Sequence, residues 1–230
     1  MSVTAILLCA GRGERLDAGV PKALVPLAGR PLFTWSLEAL QRSSAIDAIV
    51  VVGARKQLRE MLAACGQSDV KVHAWVEGGQ ERQQSVGRGL LALPEDCTYV
   101  AVHDSARALV SGEVIMRAVG AALEHGAAIA AVPLADTLKR VTLHVIDDTI
   151  PRAGLWCAQT PQVFRRDWLV RAHAEAHGQA TDDAALVEAL GHPVRVTAGD
   201  ALNLKITTPA DLALAEAWLA RTIVAPGQEG

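Results

Sequence analysis

The chain has 230 residues, a net charge of −3 at pH 7, and 50% apolar but only 3% aromatic residues. This length fits one domain or one domain with an insertion, and an apolar mass made of Ala, Val and Leu favours helices packed on a sheet over an all-β sandwich. Because charges of both signs are interspersed, we expect neither a nucleic acid nor a membrane surface as a partner.

Short apolar runs alternate with stretches of helical spacing over the first 132 residues. Strands are predicted at 4–9, 47–52, 70–75, 98–103 and 127–132, and helices at 31–42, 55–65, 81–93 and 112–125. This alternation is typical of βαβ units and predicts an α/β fold, with a mostly parallel sheet and helices on both faces. In such a sheet, ligands bind beyond the carboxyl ends of the strands.

The stretch 133–156 interrupts this alternation. It contains two extended segments, 137–141 and 145–151, with a polar turn predicted at Asp147–Asp148. We interpret it as a β-hairpin arm inserted into a single domain that comprises 1–132 and 157–224. Because a two-stranded hairpin by itself is only marginally stable in water, the arm is expected to pack on a partner subunit.

Helical spacing returns toward the C-terminus at 166–177 and 182–190, and extended segments follow at 194–197 and 203–206. A last helix is predicted to begin near Thr208–Pro209, where a capping residue precedes a proline at the first helical position. Residues 225–230 are expected to form a flexible tail.

The four cysteines are widely separated and form no CxxC pair: Cys9, Cys65, Cys97 and Cys157. This spacing argues against a zinc cluster or a disulfide framework. No stretch approaches the ~20 apolar residues needed to span a bilayer, and the apolar run 5–10 is too short for a signal peptide. We therefore expect a cytoplasmic protein.

Glycines follow the first predicted strand, in the segment AGRGERL at 10–16. Two glycines at this place let the backbone approach a ligand and turn its N–H groups toward an anion. A dinucleotide fingerprint would need a third small residue where Leu16 stands, and a Walker motif would need Gly-Lys-Ser/Thr. What remains is a phosphate loop in which Arg15 and Lys22 are spaced to reach one triphosphate. The alternative is an ordinary turn with solvated cations.

Two further polar motifs follow predicted strands. Gly78 and Gly79 precede a helix that carries Ser85 one turn in, an arrangement that permits backbone contact with a flat base while the hydroxyl bonds to the edge of that base. Asp104 and Arg107 follow the fourth strand. A carboxylate there can help to hold a hydrated Mg²⁺, and an arginine offers a fork for phosphate. For the glycine motif the alternative is a flexible loop, and for Asp104 and Arg107 it is a structural Asp–Arg pair.

The remaining candidates carry weaker signals. Thr137 and Arg152 lie on the arm, where cations are usually only solvated. Thr181 indicates a helix N-cap as readily as a ligand, and Lys205 lies in the later segment NLKIT. The seven histidines are scattered and share no acid or thiol at catalytic spacing, so none is assigned a role.

Seven motifs in register resemble those of the 2-C-methyl-D-erythritol 4-phosphate cytidylyltransferase family of the non-mevalonate isoprenoid pathway. They are AGRGERL at 10–16 with PK at 21–22, EGGQERQQS at 77–85, HDSAR at 103–107, DTLKR at 136–140, GLWCAQTPQ at 154–162, TD at 181–182 and NLKIT at 203–207. The resemblance extends from about Thr4 to Leu219. It implies a Rossmann-like nucleotidyltransferase fold, CTP as donor, Mg²⁺ as cofactor and a homodimer whose hairpin arms clasp each other.

The resemblance also implies a role for each matching residue. Arg15 and Lys22 would hold the α-phosphate in the transition state. The other positions divide between the substrates: Ala10, Gly11, Gly13, Gly79, Ser85 and Lys205 on the nucleotide, and Asp104, Arg107, Thr137, Arg152 and Thr181 on the acceptor. Asp104 would also steady the metal, and the two residues of the arm would reach the partner's substrate. Three positions depart from residues common in the family, namely Gln80, Ala108 and Leu202.

The implied reaction is transfer of CMP from CTP to 2-C-methyl-D-erythritol 4-phosphate, with release of pyrophosphate. A cytidylyltransferase that acts on ribitol 5-phosphate or another polyol phosphate would share the phosphate loop and the base pocket. A non-catalytic nucleotide-binding module on the same fold would be expected to lose Arg15, Lys22 or Asp104, and all three are present.

Overall fold

The structure is a computed structural model that describes residues 1–11, 16 and 19–224. The elements of its first half are β1 Ser2–Leu8, β2 Pro26–Leu27, β3 Arg30–Pro31, α1 Leu32–Arg42, β4 Ala48–Gly53, α2 Arg55–Ala64, β5 Val72–Glu77, α3 Arg82–Leu90, β6 Cys97–Asp104, α4 Gly112–His125 and β7 Ala127–Pro133. Those of the second half are β8 Leu138–Thr142, β9 Val145–Ile150, β10 Trp156–Arg165, α5 Arg166–Ala174, α6 Asp183–Ala189, β11 Arg195–Ala198 and α7 Pro209–Val224.

Seven strands form the central sheet in the order β11-β7-β10-β6-β1-β4-β5. All neighbouring pairs are parallel except those of β10, which runs antiparallel to both β6 and β7. The predicted α/β fold with a mostly parallel sheet is therefore confirmed. Every strand and helix predicted within the first 132 residues is present, with shifts of a few residues at the ends.

Two hydrophobic cores cover the faces of this sheet, because successive strand residues point to opposite sides. Ala5 and Leu7 of β1 enter a core with α1, α2 and α4. Ile6 and Leu8 enter a second core with α3, α5 and α6. The packed layers fix the carboxyl ends of β1 and β6, from which two of the polar motifs emerge.

Strand β10 contains buried polar residues, so its sequence lacks the pattern from which strands are predicted. It buries Gln159, Thr160 and Gln162, and Pro161 lies where the register with β7 shifts. Buried polar side chains remove the usual apolar alternation, and a proline inside a run argues against a strand. This strand is therefore not among those predicted from the sequence.

The prediction of an extended segment at 203–206 is wrong, because these residues form a loop. The Asn203 amide donates to the Gln159 side chain at 3.1 Å and to the Thr160 carbonyl at 2.8 Å. These bonds fasten the loop across the end of β10 instead of adding a strand to the sheet.

The predicted hairpin is formed by β8 and β9, which pair antiparallel as a separate two-stranded sheet. The turn lies at Leu143 and His144, with φ values of 48° and 66° as a tight hairpin requires. The prediction of a turn at Asp147–Asp148 is wrong, because these residues lie within β9. Every residue of β8 is exposed. The role of this arm in dimerisation stays a prediction, as does the division of the chain into one domain with an insertion at 133–156.

Helix α7 begins as predicted, at Thr208–Pro209. The Thr208 hydroxyl accepts the Asp211 N–H at 3.2 Å, and the Asp211 carboxylate accepts the N–H groups of Thr207 and Thr208, both at 2.8 Å. This reciprocal pairing is a capping box. Burial alone would raise the pKa of Asp211, but the hydrogen bonds outweigh it and lower that pKa to about 2.

We expect Asp211→Asn to lower the free energy of unfolding by about 1 kcal/mol near neutral pH. Because the folded-state pKa lies below the ordinary value near 4, the carboxylate contributes its full stabilisation above about pH 4. That contribution is lost as the pH falls toward the folded-state pKa of about 2. Urea unfolding of both proteins should therefore show a stability difference that narrows in acid, and a difference independent of pH would contradict this role.

Candidate functional site

Two adjoining clefts lie at the carboxyl ends of the parallel strands. The first cleft, of about 200 Å³, is lined by the ends of β1 and β6, the glycine segment and the start of α3. The second cleft, of about 230 Å³, is lined by β10 and the segment before α6. Arg82, Asp104 and Lys205 line both clefts. Two ligands bound in the two clefts would therefore meet at these three side chains.

The glycine segment begins directly after β1. Ala10 and Gly11 line the first cleft together with Lys22, whose backbone N–H donates to the Gly11 carbonyl at 3.3 Å. Gly78 packs so close to this segment that an added Cβ would lie 2.4 Å from the Ala10 Cβ. The segment thus brings main-chain groups and a lysine to one cleft, as a phosphate loop requires.

A hydrogen-bonded loop precedes α3. The Ser85 hydroxyl accepts the Gly79 N–H at 3.0 Å and lies 3.1 Å from the Glu81 carbonyl, to which it donates. The Gln84 side-chain oxygen accepts the Gln80 N–H at 3.0 Å. Gln80 and Ser85 line the first cleft, whereas Gly79 is not among its lining residues. The hydroxyl of Ser85 therefore acts on the shape of the loop.

Asp104 lies at the boundary between the clefts and is 7% exposed. One carboxylate oxygen accepts from Arg82 Nε at 3.3 Å and the other from Lys205 Nζ at 2.7 Å. Burial alone would raise the pKa of Asp104, but Arg82, Lys205 and Arg107 hold it well below its usual range. The carboxylate is therefore ionised near neutral pH and can interact with a bound cation.

A second carboxylate holds Arg82 from the other side. Arg82 NH1 donates to Asp183 at 2.7 Å, and Asp183, which is 1% exposed, lies 2.8 Å from His173 Nε2. Burial opposes the charge of Arg82, but the two carboxylates raise its pKa. The sequence analysis assigns no role to these residues. The one available signal is the position of Arg82 inside the EGGQER segment.

His103 is fully buried beside the boundary, with Nδ1 3.0 Å from the Thr160 hydroxyl. Burial lowers the pKa of His103 to about 4, although the charge of Asp104 opposes the shift. The imidazole is therefore neutral at pH 7. The same Thr160 hydroxyl accepts the Asp104 N–H at 3.1 Å, so this buried pair supports the end of β6.

Arg107 and Thr181 line the second cleft. The Arg107 guanidinium donates to the backbone carbonyls of Asn203 at 2.7 Å and Ala158 at 3.3 Å. It thereby ties the loop after β11 to β10. The N-cap role considered for Thr181 belongs instead to Asp182, whose side chain accepts a backbone N–H of α6.

Besides Gly79, four predicted site residues are not placed in either cleft by the structure. Thr137 and Arg152 belong to the arm and line neither cleft of their own chain. Arg152 lines a wider hollow at the base of the arm, together with Trp156. Gly13 and Arg15 lie outside the described residues.

Clusters of metal ligands and membrane-spanning helices are both absent from the described part of the chain. Within residues 1–11, 16 and 19–224, no group of three or more His, Cys, Asp or Glu side chains is placed to hold a metal ion. Across the same part of the chain, no helix combines the length and the apolar character needed to cross a membrane.

Comparison with known proteins places the chain in a family. The family model of 2-C-methyl-D-erythritol 4-phosphate cytidylyltransferase (IspD) matches residues 3–221. A protein of that name from Gloeobacter violaceus is 47% identical over 221 residues, which cover 93% of this chain and 94% of the relative. The solved structure of the enzyme of that name from Thermus thermophilus has a TM-score of 0.77 and 36% identity, over 94% of this chain and 98% of its own. A 4-diphosphocytidyl-2C-methyl-D-erythritol synthase structure from Anaerococcus prevotii has a TM-score of 0.82 and 28% identity, over 96% of both chains. The chain therefore belongs to the 2-C-methyl-D-erythritol 4-phosphate cytidylyltransferase family.

Proposed function

We propose that this chain transfers the CMP moiety of CTP to 2-C-methyl-D-erythritol 4-phosphate and releases pyrophosphate. The product is 4-diphosphocytidyl-2-C-methyl-D-erythritol. The observation that carries the proposal is the pair of clefts that share Arg82, Asp104 and Lys205. A reaction between two phosphorylated substrates needs such a boundary, because the donor α-phosphate and the acceptor phosphate must meet there.

The chemistry requires positioning more than proton transfer. An oxygen of the acceptor phosphate attacks the α-phosphorus of CTP and forms a P–O bond. The bond from that phosphorus to the bridging oxygen breaks, and pyrophosphate leaves with the electron pair. A phosphate monoester is already ionised near neutral pH, so no protein base is required. Because two polyanions must approach each other, catalysis depends on orientation and on fixed positive charge.

The first cleft suits the triphosphate of the donor. Ala10, Gly11 and Gly13 would wrap it with backbone N–H groups, which can form an anion-binding concavity. Arg15 and Lys22 would stabilise the charge that develops around the α-phosphate. The lining of the cleft by Lys22 and the first two of these backbone positions supports this assignment.

The loop before α3 suits the cytosine. Gly79 and Ser85 fix its shape through their hydrogen bond, and a Cβ on Gly79 would lie 2.5 Å from the Gln84 Cβ. A rigid backbone edge of this kind can match the donors and acceptors of one base. Lys205 would contact the nucleotide from the boundary between the clefts.

Asp104 would help to hold Mg²⁺. Mg²⁺ usually keeps several waters and is bound by one or two carboxylates together with substrate phosphates. One ionised carboxylate at the boundary fits that pattern, and the described residues contain no larger cluster of metal ligands. When bound, the metal would neutralise charge on the triphosphate.

The second cleft suits the acceptor. Asp104, Arg107 and Thr181 line it, and they offer a carboxylate, a guanidinium and a hydroxyl to a polyol phosphate. Thr137 and Arg152 would complete this cleft from the arm of a partner subunit. We also infer a cytoplasmic location, because that compartment holds the CTP pool.

The exposed apolar side chains of the arm support a homodimer. Leu143, Val145 and Ile146 are 89%, 66% and 59% exposed. Several apolar side chains exposed to this extent on one short segment are typical of an interaction site. A second copy of the chain that covers the arm would also bring Arg152 to the partner's second cleft.

Complementation between two inactive variants tests the exchange of arms. Lys22→Ala and Arg152→Ala proteins should each be nearly inactive, whereas their co-expressed mixture should recover roughly one quarter of the wild-type activity, because each mixed dimer has one complete site. Lys139→Ala, which removes another exposed cation of the arm, is the matched control and should stay active alone. A mixture no more active than its components would show that Arg152 acts within its own chain.

Pyrophosphate release tests the function directly. We expect turnover with CTP and 2-C-methyl-D-erythritol 4-phosphate in the presence of Mg²⁺, and little with UTP, ATP or GTP. Faster turnover with ribitol 5-phosphate would assign a different acceptor. Calorimetric binding of CTP without turnover on any polyol phosphate would instead indicate a non-catalytic nucleotide-binding module.

A further inference from the structure

A third hydrophobic core, smaller than the two that cover the sheet, packs against α7. It contains eight buried residues: Leu16, Val25, Leu27, Leu32, Ala108, Ile206, Ala215 and Leu219. None of them belongs to the seven strands of the central sheet. This third core is therefore not needed to close either face of the sheet.

Three members of the third core directly follow predicted site cations. Leu16 follows Arg15, Ala108 follows Arg107 and Ile206 follows Lys205. The three apolar side chains are 6%, 4% and 0% exposed. Because consecutive Cα atoms are about 3.8 Å apart, burying Ala108 and Ile206 restricts where the chain can carry Arg107 and Lys205.

Hydrogen bonds also join the segments that contain Ala108 and Ile206. The Ile206 N–H donates to the Ala106 carbonyl at 2.8 Å, and the Arg107 guanidinium donates to the Asn203 carbonyl. The segments that carry Arg107 and Lys205 are therefore held to each other as well as to the third core.

Helix α7 completes the third core with Ala215 and Leu219, which are 0% and 8% exposed. The capping box at its first turn fixes the short connection from Lys205 to the helix. The position of α7 is thus coupled to Lys205 through the chain and to Arg107 through the packing of Ala108 in the third core.

We propose that α7 is a positioning element for the cations of the active site, with Leu219 acting through the third core. The inference rests on the proposed function for the roles of Arg107 and Lys205. Protein interiors are close-packed, so truncating Leu219 leaves a cavity into which neighbouring side chains partly relax. A displacement of about 1 Å at reacting groups can cost roughly a hundredfold in rate. The truncation is therefore expected to lower turnover as well as stability.

Leu219→Ala and Leu62→Ala form a matched pair. Leu62 lies on α2 in the first core of the sheet, is 4% exposed and lines neither cleft. Both substitutions remove the same atoms and should lower the midpoint of thermal unfolding. We expect Leu219→Ala alone to lower kcat, by roughly tenfold or more, and to weaken the binding of sodium pyrophosphate in calorimetry. Leu219→Met, which restores the side-chain volume, should recover most of the wild-type kcat and most of the affinity for pyrophosphate.

The outcomes separate this inference from the proposed function. A Leu219→Ala protein that is folded at the assay temperature and keeps wild-type kcat and pyrophosphate affinity would overturn the positioning role, as would an equal loss of kcat in Leu62→Ala. If Leu219→Ala does not fold, Leu219→Val and Leu62→Val provide the same comparison with a smaller truncation. The pyrophosphate titration needs no turnover, so a wild-type protein that releases no pyrophosphate from CTP would count against the proposed function alone.

Discussion

Replacing Lys22 with alanine is expected to lower turnover by about two to three orders of magnitude while the fold stays intact. Lys22 lies in a short 3₁₀ turn, Lys22–Leu24, and lines the first cleft with Gly11. A cation placed there before the reaction begins would stabilise the developing charge on the α-phosphate without reorganisation. The rate of pyrophosphate release measures the loss, and circular dichroism with thermal unfolding checks the fold.

A second lysine shows whether position or charge matters. Lys56 on α2 has an 86% exposed side chain, and Lys56→Ala should keep the wild-type rate. Arg15→Ala should lose activity to a similar extent as Lys22→Ala. Wild-type turnover in both Arg15→Ala and Lys22→Ala would remove the phosphate-stabilising role from the glycine segment and its cations.

The parts of the fold that follow local patterns are predictable from sequence. The apolar run that becomes β1 alternates between the two cores, so Ala5 and Ile6 face opposite sides. A run that is buried on both faces in this way predicts a central parallel strand. Strand β10 breaks the pattern because tertiary contacts, and not its own composition, place it between β6 and β7. Its buried Gln162 serves as an example, since its amide donates to the Asp182 carboxylate.

The candidate site also has contacts that can be predicted from the sequence and contacts that cannot. Lys22 and Asp104 are predictable as neighbours, because the carboxyl ends of β1 and β6 meet at one edge of the sheet. The pairing of Arg82 with Asp183 is not, since the two residues are 101 positions apart and neither carries a local signal for the other. The third core is hidden for the same reason, because its members are single apolar residues on separate segments.

Asp104→Asn is expected to have opposite effects on binding and on turnover. In the absence of substrates, the carboxylate neutralises Arg82 and Lys205 through both of its oxygens. Asparagine keeps the shape but removes the carboxylate from Lys205 and leaves Arg82 paired with Asp183 alone, so the boundary between the clefts gains net positive charge. An anion in the clefts then replaces the lost charge. Without Mg²⁺, the affinity for pyrophosphate should therefore rise, by roughly tenfold.

Turnover in Mg²⁺ should fall by about two orders of magnitude or more in the same variant, because the proposed metal ligand is lost while the products bind more tightly. Asp69→Asn, at an exposed carboxylate that lines neither cleft, makes the same chemical change and should alter neither quantity. Calorimetry with sodium pyrophosphate and the rate of pyrophosphate release give the two readouts. Unchanged pyrophosphate affinity would mean that Arg82 and Lys205 do not face the anion, and the boundary between the clefts would lose its role as the place where the substrates meet.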